Sequence, residues 1–403
     1  MKHSTLRLVG GMLGVAVAAA RPAVAAEVYY QPIASLTAES DTNIDLDTGP
    51  TPNIQGYLAD LATVVGIATQ DSNTTIRPRV VYREYPHDSP DNRLEAYLDF
   101  NTAYRTQRSN FNVTGSFEHL DQFNAEFTPA TFNDINPAQS LADTGKVVVG
   151  GTRDSISVFP KFTYNFSPIL GAGVSGQYTL VNYSPSAISE HVDFDYYVGR
   201  AFLSWSFSPT SSLSAGGFGT KYEATKFDSR ATGTGGNLVL DTTWTPVLST
   251  EFSVLTQHTD INEVLPTVLN TSVNAWGGSA SALYKSQVSQ FKVNANRTIS
   301  PSGGGSVYTV NRLQLEYDRN VSSRLSFMGA LVGLQVRALT ADAQGDNRTY
   351  GQTVLDVKWM LAPTWFIQGG YQYTFQKYEY DPPSVANNRV YIRIGYQGLG
   401  QER

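Results

Sequence analysis

The sequence RLEAYLDFNTAYR, residues 93–105, alternates between apolar and polar side chains. Successive side chains of a β-strand point to opposite faces, so this segment predicts a strand with one apolar and one polar face. The apolar face carries Leu94, Ala96, Leu98, Phe100 and Tyr104, and the polar face carries Glu95, Tyr97, Asp99, Asn101 and Arg105. The segment is long enough to cross a bilayer, which takes roughly 9–11 tilted strand residues. It is therefore a candidate membrane-spanning strand.

Two further segments show the same period of two. In residues 155–166, one face carries the mainly apolar residues Ile156, Val158, Pro160, Phe162, Tyr164 and Phe166, and the other face carries Ser157, Lys161, Thr163 and Asn165. Residues 389–396 set Val390, Ile392, Ile394 and Tyr396 against Arg389, Tyr391, Arg393 and Gly395. In a membrane barrel with a wet lumen, the apolar set faces lipid and the polar set faces inward.

The connections alternate strictly between short turns and longer polar loops. Short turns are predicted at residues 71–73, 108–110, 167–168, 208–212, 246–249, 287–289, 321–323 and 362–363. Longer loops are predicted at residues 41–53, 87–92, 129–153, 184–190, 228–236, 262–271, 300–305, 341–347 and 381–388. Outer-membrane barrels have this alternation of tight periplasmic turns and long external loops. The longest irregular segment, residues 128–153, is the best candidate for a loop that folds inward or caps the pore.

The alternating segments predict an all-β fold, a transmembrane antiparallel up-and-down β-barrel of about 18 strands. The predicted strand starts are Tyr29, Gln55, Thr74, Arg93, Phe111, Asp154, Ile169, Val192, Leu213, Gly236, Ser249, Val273, Gln290, Ser306, Arg324, Tyr350, Thr364 and Arg389. Residues 192–207 alternate poorly and are expected to carry a β-bulge. A secreted, soluble all-β fold is the alternative.

Aromatic residues cluster at both ends of the predicted strands. Beside the short turns lie Trp205, Phe207, Trp244, Tyr284, Tyr317, Trp359 and Trp365, and toward the long loops lie Tyr178, Tyr222, Trp276, Tyr373 and Phe375. Two aromatic belts, one at each interface, are expected of a barrel in lipid.

The N-terminus has the pattern of a secretory signal peptide. Lys2 and Arg7 precede an apolar stretch over residues 8–20, and Ala23 and Ala25 form a small-residue exit. We expect a signal peptide at residues 1–25 and a barrel at residues 26–403, located in the outer membrane of a Gram-negative bacterium. The barrel requires no run of about 20 apolar residues, and none follows the signal.

Charge and cysteine content limit the partners. The chain has no cysteine and a net charge of −6, which loss of the three basic residues of the signal would make more negative. Nucleic acid is not expected, because phosphate binding needs a basic face. No cofactor is expected. The expected partners are outer-membrane lipid, lipopolysaccharide and the machinery that inserts barrels.

The alternation places a set of charged side chains in the lumen. They are Arg77, Arg79, Arg83, Glu95, Asp99, Arg105, Lys161, Asp241, Lys292, Arg312, Glu316, Asp318, Asp356, Lys358, Arg389 and Arg393. Buried charges must be paired or wet. Either they line a water-filled channel, or they form an ion-pair network that plugs the barrel. A barrel of about 18 strands is wide enough for a channel unless loops fill it.

Three motifs have simpler explanations than the functions they suggest. Residues 171–176 match G-x-G-x-x-G, but strand-like sequence follows, so small residues within a strand explain them better. Asn43-x-Asp45-x-Asp47 lacks the glycine and glutamate spacing of a calcium loop and is interpreted as a solvated acidic loop. His87 and His191 lie near aspartates, yet no hydrolase signature accompanies either.

The chain resembles the outer-membrane β-barrel porins encoded beside exopolysaccharide export systems in proteobacteria. The resemblance lies in residues 32–43, PIASLTAESDTN, in the hairpin segment YREYPHD at residues 82–88, and in the Tyr- and Phe-rich hairpins that follow. It implies an outlet for a secreted polysaccharide, working with periplasmic polysaccharide-export proteins. The C-terminus departs from many outer-membrane barrels, because Gly398-Leu399-Gly400 and three polar residues follow Tyr396.

These observations lead to three functional hypotheses. The first is a porin that passes a hydrophilic solute, and the basic group Arg77, Arg79, Arg83, Arg389 and Arg393 suggests an anionic solute or polymer. The second is a plugged structural or adhesive barrel, and the third is a hydrolase that uses His191 or His87. No catalytic or metal-binding residue is assigned, and a non-enzymatic role is expected.

Overall fold

The computed structural model describes residues 26–46, 48–49, 53–86, 93–122, 129–132, 151–184, 191–224, 229–263, 269–304, 307–339, 347–379 and 384–402. The strands are β1 (Glu27–Asp41), β2 (Ile54–Ala68), β3 (Ser72–Glu84), β4 (Arg93–Arg105), β5 (Ser109–Asp121), β6 (Thr152–Asn165), β7 (Leu170–Tyr183), β8 (Phe194–Ser208), β9 (Ser211–Ala224), β10 (Ser229–Thr245), β11 (Leu248–Glu263), β12 (Leu269–Lys285), β13 (Ser289–Pro301), β14 (Val307–Asn320), β15 (Leu325–Ala338), β16 (Arg348–Met360), β17 (Trp365–Tyr378), β18 (Val385–Gln397) and the short β19 (Gln401–Glu402).

The sheet closes on itself between its first and last long strands. Each long strand pairs antiparallel with the next along the chain, and β18 pairs with β1 from Ile33↔Gln397 to Asp41↔Arg389. After residues 398–400, β19 pairs with Tyr29 and Tyr30 of β1. The prediction of an antiparallel up-and-down barrel of about 18 strands is confirmed.

The two faces of each strand differ as the alternation predicts. On the outer face Leu36, Leu61 and Val254 are 65%, 61% and 60% exposed, whereas Thr37, next to Leu36, is buried inside. Trp205, Trp244 and Trp359 lie on the outer face near the short turns, and Trp276 lies on it toward the long loops. A closed barrel with this exterior satisfies its backbone internally and presents apolar side chains to lipid.

Five of the short turns share one construction. In each of them, a Ser or Thr hydroxyl accepts the backbone N–H of the residue three positions later at 2.9–3.1 Å. The pairs are Thr69 with Ser72, Thr106 with Ser109, Ser167 with Leu170, Ser286 with Ser289, and Ser322 with Leu325. These side chains replace a backbone partner and hold the tight reversal.

One predicted loop is wrong in most of its length. Residues 228–236 were expected to be a loop because they are rich in glycine and threonine, but β10 begins at Ser229 and pairs with β9 from Ser229↔Ala224. A Cβ on Gly235 would lie 2.6 Å from Cζ of Phe218 on the neighbouring strand. This glycine makes room for a bulky inward side chain and does not mark a turn.

Two predictions about β8 and β9 differ from the structure in detail, the position of Tyr222 and the location of the bulge. Tyr222 was expected in the outer aromatic belt, but it faces the lumen and is 2% exposed. Its place in β9 pairs it with the inward Tyr196. The bulge expected within residues 192–207 occurs where β8 ends, as a register shift between Ser206 and Ser208.

Some predictions fall outside the described residues. The signal peptide at residues 1–25, His87 and Asp47 are among them. Within the part of the chain that the structure describes, no helix has the length and hydropathy to cross a membrane.

A charge placed on the outer face should destabilise the barrel. Leu36 lies near the middle of β1 and faces outward. We expect Leu36→Arg to lower the free energy of unfolding in lipid vesicles by about 2–4 kcal/mol. Denaturant titration followed by heat-modifiable gel mobility measures this. Leu36→Ala is the control and should cost less, and an equal cost for both variants would show that this face does not contact lipid.

Candidate functional site

All sixteen predicted lumen charges lie on the inward face of their strands. Paired residues share a face, and Arg77 pairs with Asp99, Lys292 with Glu316, and Arg389 with Asp41. The set is Arg77, Arg79, Arg83, Glu95, Asp99, Arg105, Lys161, Asp241, Lys292, Arg312, Glu316, Asp318, Asp356, Lys358, Arg389 and Arg393. That they line a conducting pore stays a prediction.

Four of these residues form what we call the arginine wall: Arg77, Arg79 and Arg83 on β3, and Arg389 on β18. The three β3 arginines share a face because they are separated by even numbers of residues. Each guanidinium has a carboxylate beside it. Arg77 Nη2 lies 2.7 Å from Asp99, Arg79 Nη2 lies 2.8 Å from Asp60, Arg83 Nη1 lies 3.8 Å from Glu39, and Arg389 contacts Glu39.

In two of these ion pairs, the arginine side chain is more exposed to solvent than the aspartate side chain. The Arg77 side chain is 29% exposed and that of Asp99 is 9% exposed. The Arg79 side chain is 36% exposed against 14% for Asp60. The carboxylates therefore lie behind the guanidiniums, and the surface that meets the lumen is cationic although the charges are paired.

Glu39 is the residue that joins the two parts of the wall. It contacts both Arg83 of β3 and Arg389 of β18, and it accepts a hydrogen bond of 3.0 Å from the hydroxyl of Tyr85. Burial raises the pKa of Tyr85, which follows β3, so its hydroxyl remains a donor. With its side chain 1% exposed, Glu39 is the buried counter-charge of two arginines.

Several inward carboxylates are absent from the predicted set of lumen charges. Glu39, Asp41 and Asp60 lie on the lumen face of β1 and β2 but were not among the predicted lumen charges. These two strands carry many Ala, Ser and Thr residues, so their polar and apolar faces contrast weakly. The register of β1 against β18, which places Asp41 opposite Arg389, identifies them.

A short segment of the β5–β6 connection lies inside the barrel. The backbone N–H of Ala130 donates to Gln352 at 3.0 Å, and that of Phe132 donates to Glu316 at 2.8 Å. Gln314 donates to the carbonyl of Ala130 at 3.1 Å. Ala130 is 1% exposed. For residues 129–132, the expectation of an inward-folding loop agrees with the structure.

A cavity of about 480 Å³ separates this segment from the arginine wall. Pro129, Thr131 and Phe132 line one side, and the wall lines the other. Six arginines and five carboxylates contribute to the lining in total. The cavity is thus lined by the segment at residues 129–132 and by ion pairs whose guanidiniums are more exposed than their carboxylates.

Other inward charges lie away from this cavity. Lys292 pairs with Glu316 at 2.9 Å beneath the inward segment. Tyr391 donates to Asp356, and Lys358 Nζ lies 4.1 Å from the ring of Phe366. Their charges are held by neighbouring side chains, which agrees with the requirement that lumen charges be paired or wet.

Toward the short turns, two carboxylates face each other across a strand pair. Asp241 on β10 is the direct partner of Glu251 on β11, and both line a surface rich in Ser and Thr. Glu251 was not predicted from the sequence. Like charges directly opposite each other repel, so this pair is a local acidic site on the lumen face.

Of the two histidines considered for catalysis, His191 lies in the described part of the chain. His191 is buried, its Nδ1 lies 3.2 Å from Gln122 Oε1, and its ring stacks on Tyr183 at 4.8 Å. The nearby Asp193 accepts the backbone N–H of Tyr183, and Asp195 accepts the hydroxyl of Tyr178.

The remaining motifs lie in ordinary surroundings. The glycine-rich residues 171–176 lie within β7, in agreement with the prediction of a strand. Asp45 of the acidic loop lies 3.5 Å from Arg93. Among the described residues, no group of three or more His, Cys, Asp or Glu side chains is arranged to hold a metal ion.

Comparisons with known proteins find similarity only among solved structures. No protein-family model and no curated protein matches the chain. The chain is similar to Pseudomonas aeruginosa OccK2 (OpdF), solved in complex with glucuronate, with 10% identity over 93% of this chain and 98% of that chain and a TM-score of 0.44. It is also similar to Pseudomonas aeruginosa OpdQ (10% identity, 94% and 98%, TM-score 0.42) and to Acinetobacter baumannii OccAB3 (9% identity, 92% and 99%, TM-score 0.42). At this level of similarity, the barrel assignment rests on its own strand pairing.

Removal of the two glutamines that hold residues 129–132 should release that segment. The chain has no cysteine, so Ala130→Cys provides a single thiol for labelling. In a Gln314→Ala, Gln352→Ala background, we expect this thiol to react about tenfold faster or more, because two or three hydrogen bonds of about 1 kcal/mol each are lost. Gln372→Ala is the control, since Gln372 lines the same cavity and bonds Thr374. Equal labelling rates in all backgrounds would contradict the role of the glutamines.

Proposed function

We propose that the chain is an outer-membrane channel that passes small hydrophilic anions by diffusion. The observation that carries this proposal is the arginine wall, whose guanidiniums are more exposed than their carboxylates and face a cavity bounded by residues 129–132. An apolar exterior and a closed hydrogen-bonded sheet support the outer-membrane location. Lipid and lipopolysaccharide would surround it, and barrel-insertion machinery would deliver it.

The narrowing of the lumen favours a small solute over a polymer. Residues 129–132 are bonded to β14 and β16 and line the cavity together with the arginine wall. A cavity of about 480 Å³ has the size of sites that enclose one small molecule. Fixed guanidiniums would stabilise a carboxylate or phosphate in passage, since their planar donors match these groups.

The outlet for an anionic exopolysaccharide is the second proposal. The same arginine wall supports it, but a polymer would require residues 129–132 to leave the lumen. Periplasmic export proteins would then be the natural partners for displacing them. Current block by anionic oligosaccharides of increasing length distinguishes the two proposals, because a small-solute channel stops responding beyond a short length.

Two variants of one ion pair should shift ion selectivity in opposite directions. Arg79→Gln removes the cation and Asp60→Asn removes its carboxylate, so the Cl⁻/K⁺ permeability ratio should fall in the first and rise in the second. Loss of one charge about 4 Å from a passing ion changes its energy by about 1 kcal/mol in water-like surroundings, which is about fivefold in the ratio. Reversal potentials under a salt gradient measure both effects.

The control for this experiment is Arg324→Gln. Arg324 lies exposed in a short turn, away from the lumen cavity, so its removal subtracts the same charge without changing the constriction. Its reversal potential should equal that of the unaltered protein. Shifts of the same sign in Arg79→Gln and Asp60→Asn would refute the assignment of this pair to the conduction path.

A further inference from the structure

Among the residues that the structure describes, the β12–β13 seam of the barrel wall is only partly paired. β12 pairs with β11 along its whole length from Leu269 to Tyr284, but it pairs with β13 only from Gly278↔Arg297 to Lys285↔Gln290. β13 pairs with β14 as far as Pro301↔Val307. The wall therefore opens between β12 and β13 above Gly278, toward the long-loop end of the barrel.

The end of the β13–β14 hairpin lies inside the lumen. We call residues 298–304 and 307–310 the inward hairpin, of which residues 308–310 remain paired with residues 336–338 of β15. Tyr222 of β9 donates to the carbonyl of Ser302 at 2.8 Å, and Val192, just before β8, donates its backbone N–H to Gly303 at 2.8 Å. β9 and β13 are four strand spacings apart, about 19 Å along the wall, so these contacts require the hairpin to cross the lumen.

An apolar cluster on the lumen face of β7 to β11 holds the hairpin there. Val307 belongs to a buried cluster with Val181, Phe194, Tyr222, Ala231 and Ile261, and Ile299 packs against it. In the paired part of β13 and β14, residues with odd numbers face outward, as Leu313 does. Ile299 and Val307 therefore lie on the face that would point to lipid if the hairpin continued the wall.

The apolar face of the inward hairpin, which carries Ile299 and Val307, can thus be removed from water in two positions. One is the cluster inside the lumen, and the other is the outer surface beside Trp276, which is 65% exposed. Extending the register of β12 and β13 past Gly278↔Arg297 would pair Trp276 with Ile299 and Ala275 with Ser300. That pairing would also satisfy backbone groups along the free edge of β12.

We propose that the inward hairpin exchanges between the lumen and the wall, closing the β12–β13 seam in the second state and clearing the lumen. Two packings of similar free energy are the basis of such a switch. The exchange does not depend on conduction, whereas its effect on current rests on the proposed function.

Disulfide trapping tests the exchange directly, since the natural chain has no cysteine. Ala275→Cys with Ser300→Cys can form a disulfide only in the wall state. Val192→Cys with Gly303→Cys reports the lumen state, and Ser281→Cys with Asn294→Cys is the control within the paired seam. Folded protein in lipid vesicles is oxidised, and disulfide yield is followed by mass spectrometry over time.

We expect both the wall pair and the lumen pair to form disulfides, with the wall pair slower than the control. Trapping the wall state should then raise single-channel current several-fold, and trapping the lumen state should abolish that rise. A wall pair that stays reduced while the control and lumen pairs react completely overturns the proposal. Wall-pair trapping in a barrel that carries no current in either state supports the exchange and refutes the proposed function instead.

Discussion

The structure depends on one constraint: in lipid, each backbone N–H and C=O must find its partner within the protein. The pairing of β18 with β1 meets this constraint for the first and last long strands, and the upper part of the β12–β13 seam is where the described strands leave it unmet. Closure then fixes the two environments that every strand separates, lipid outside and lumen inside. The apolar exterior, the short turns capped by hydroxyls and the inward charges all follow from this division.

Inside the barrel, the position of a charged group depends on its distance from the wall. Carboxylates such as Glu39 and Asp60 lie against the wall, and the guanidiniums of Arg79 and Arg83 lie in front of them. Pairing reduces the cost of placing charge in a confined lumen, while unequal exposure leaves a cationic surface. The segment at residues 129–132 then brings passing solute close to that surface. Ion selectivity then depends on which side chain of each arginine–carboxylate pair is exposed to water in the lumen.

Much of the fold could be predicted because strands have a period of two. One-residue errors in register would have turned the predicted lumen charges outward, yet residues such as Arg77 and Lys292 lie inside. The errors arise where the pattern is weak or where packing overrides it. Glu39 was missed in a strand of small residues, β10 was partly taken for a loop because of its glycines, and Tyr222 serves the lumen cluster. Ion-pair partners and the inward hairpin depend on distant strands, which local patterns do not report.

The most direct test of the central claim is the current through single barrels of the unaltered protein. Mature chain, refolded in a planar bilayer and verified by heat-modifiable mobility, is placed under a KCl gradient. We expect steady openings with a reversal potential of the sign that marks anion selectivity. A verified barrel that passes no current would contradict it and favour a plugged structural role, and cation selectivity would show that the arginine wall does not control passage.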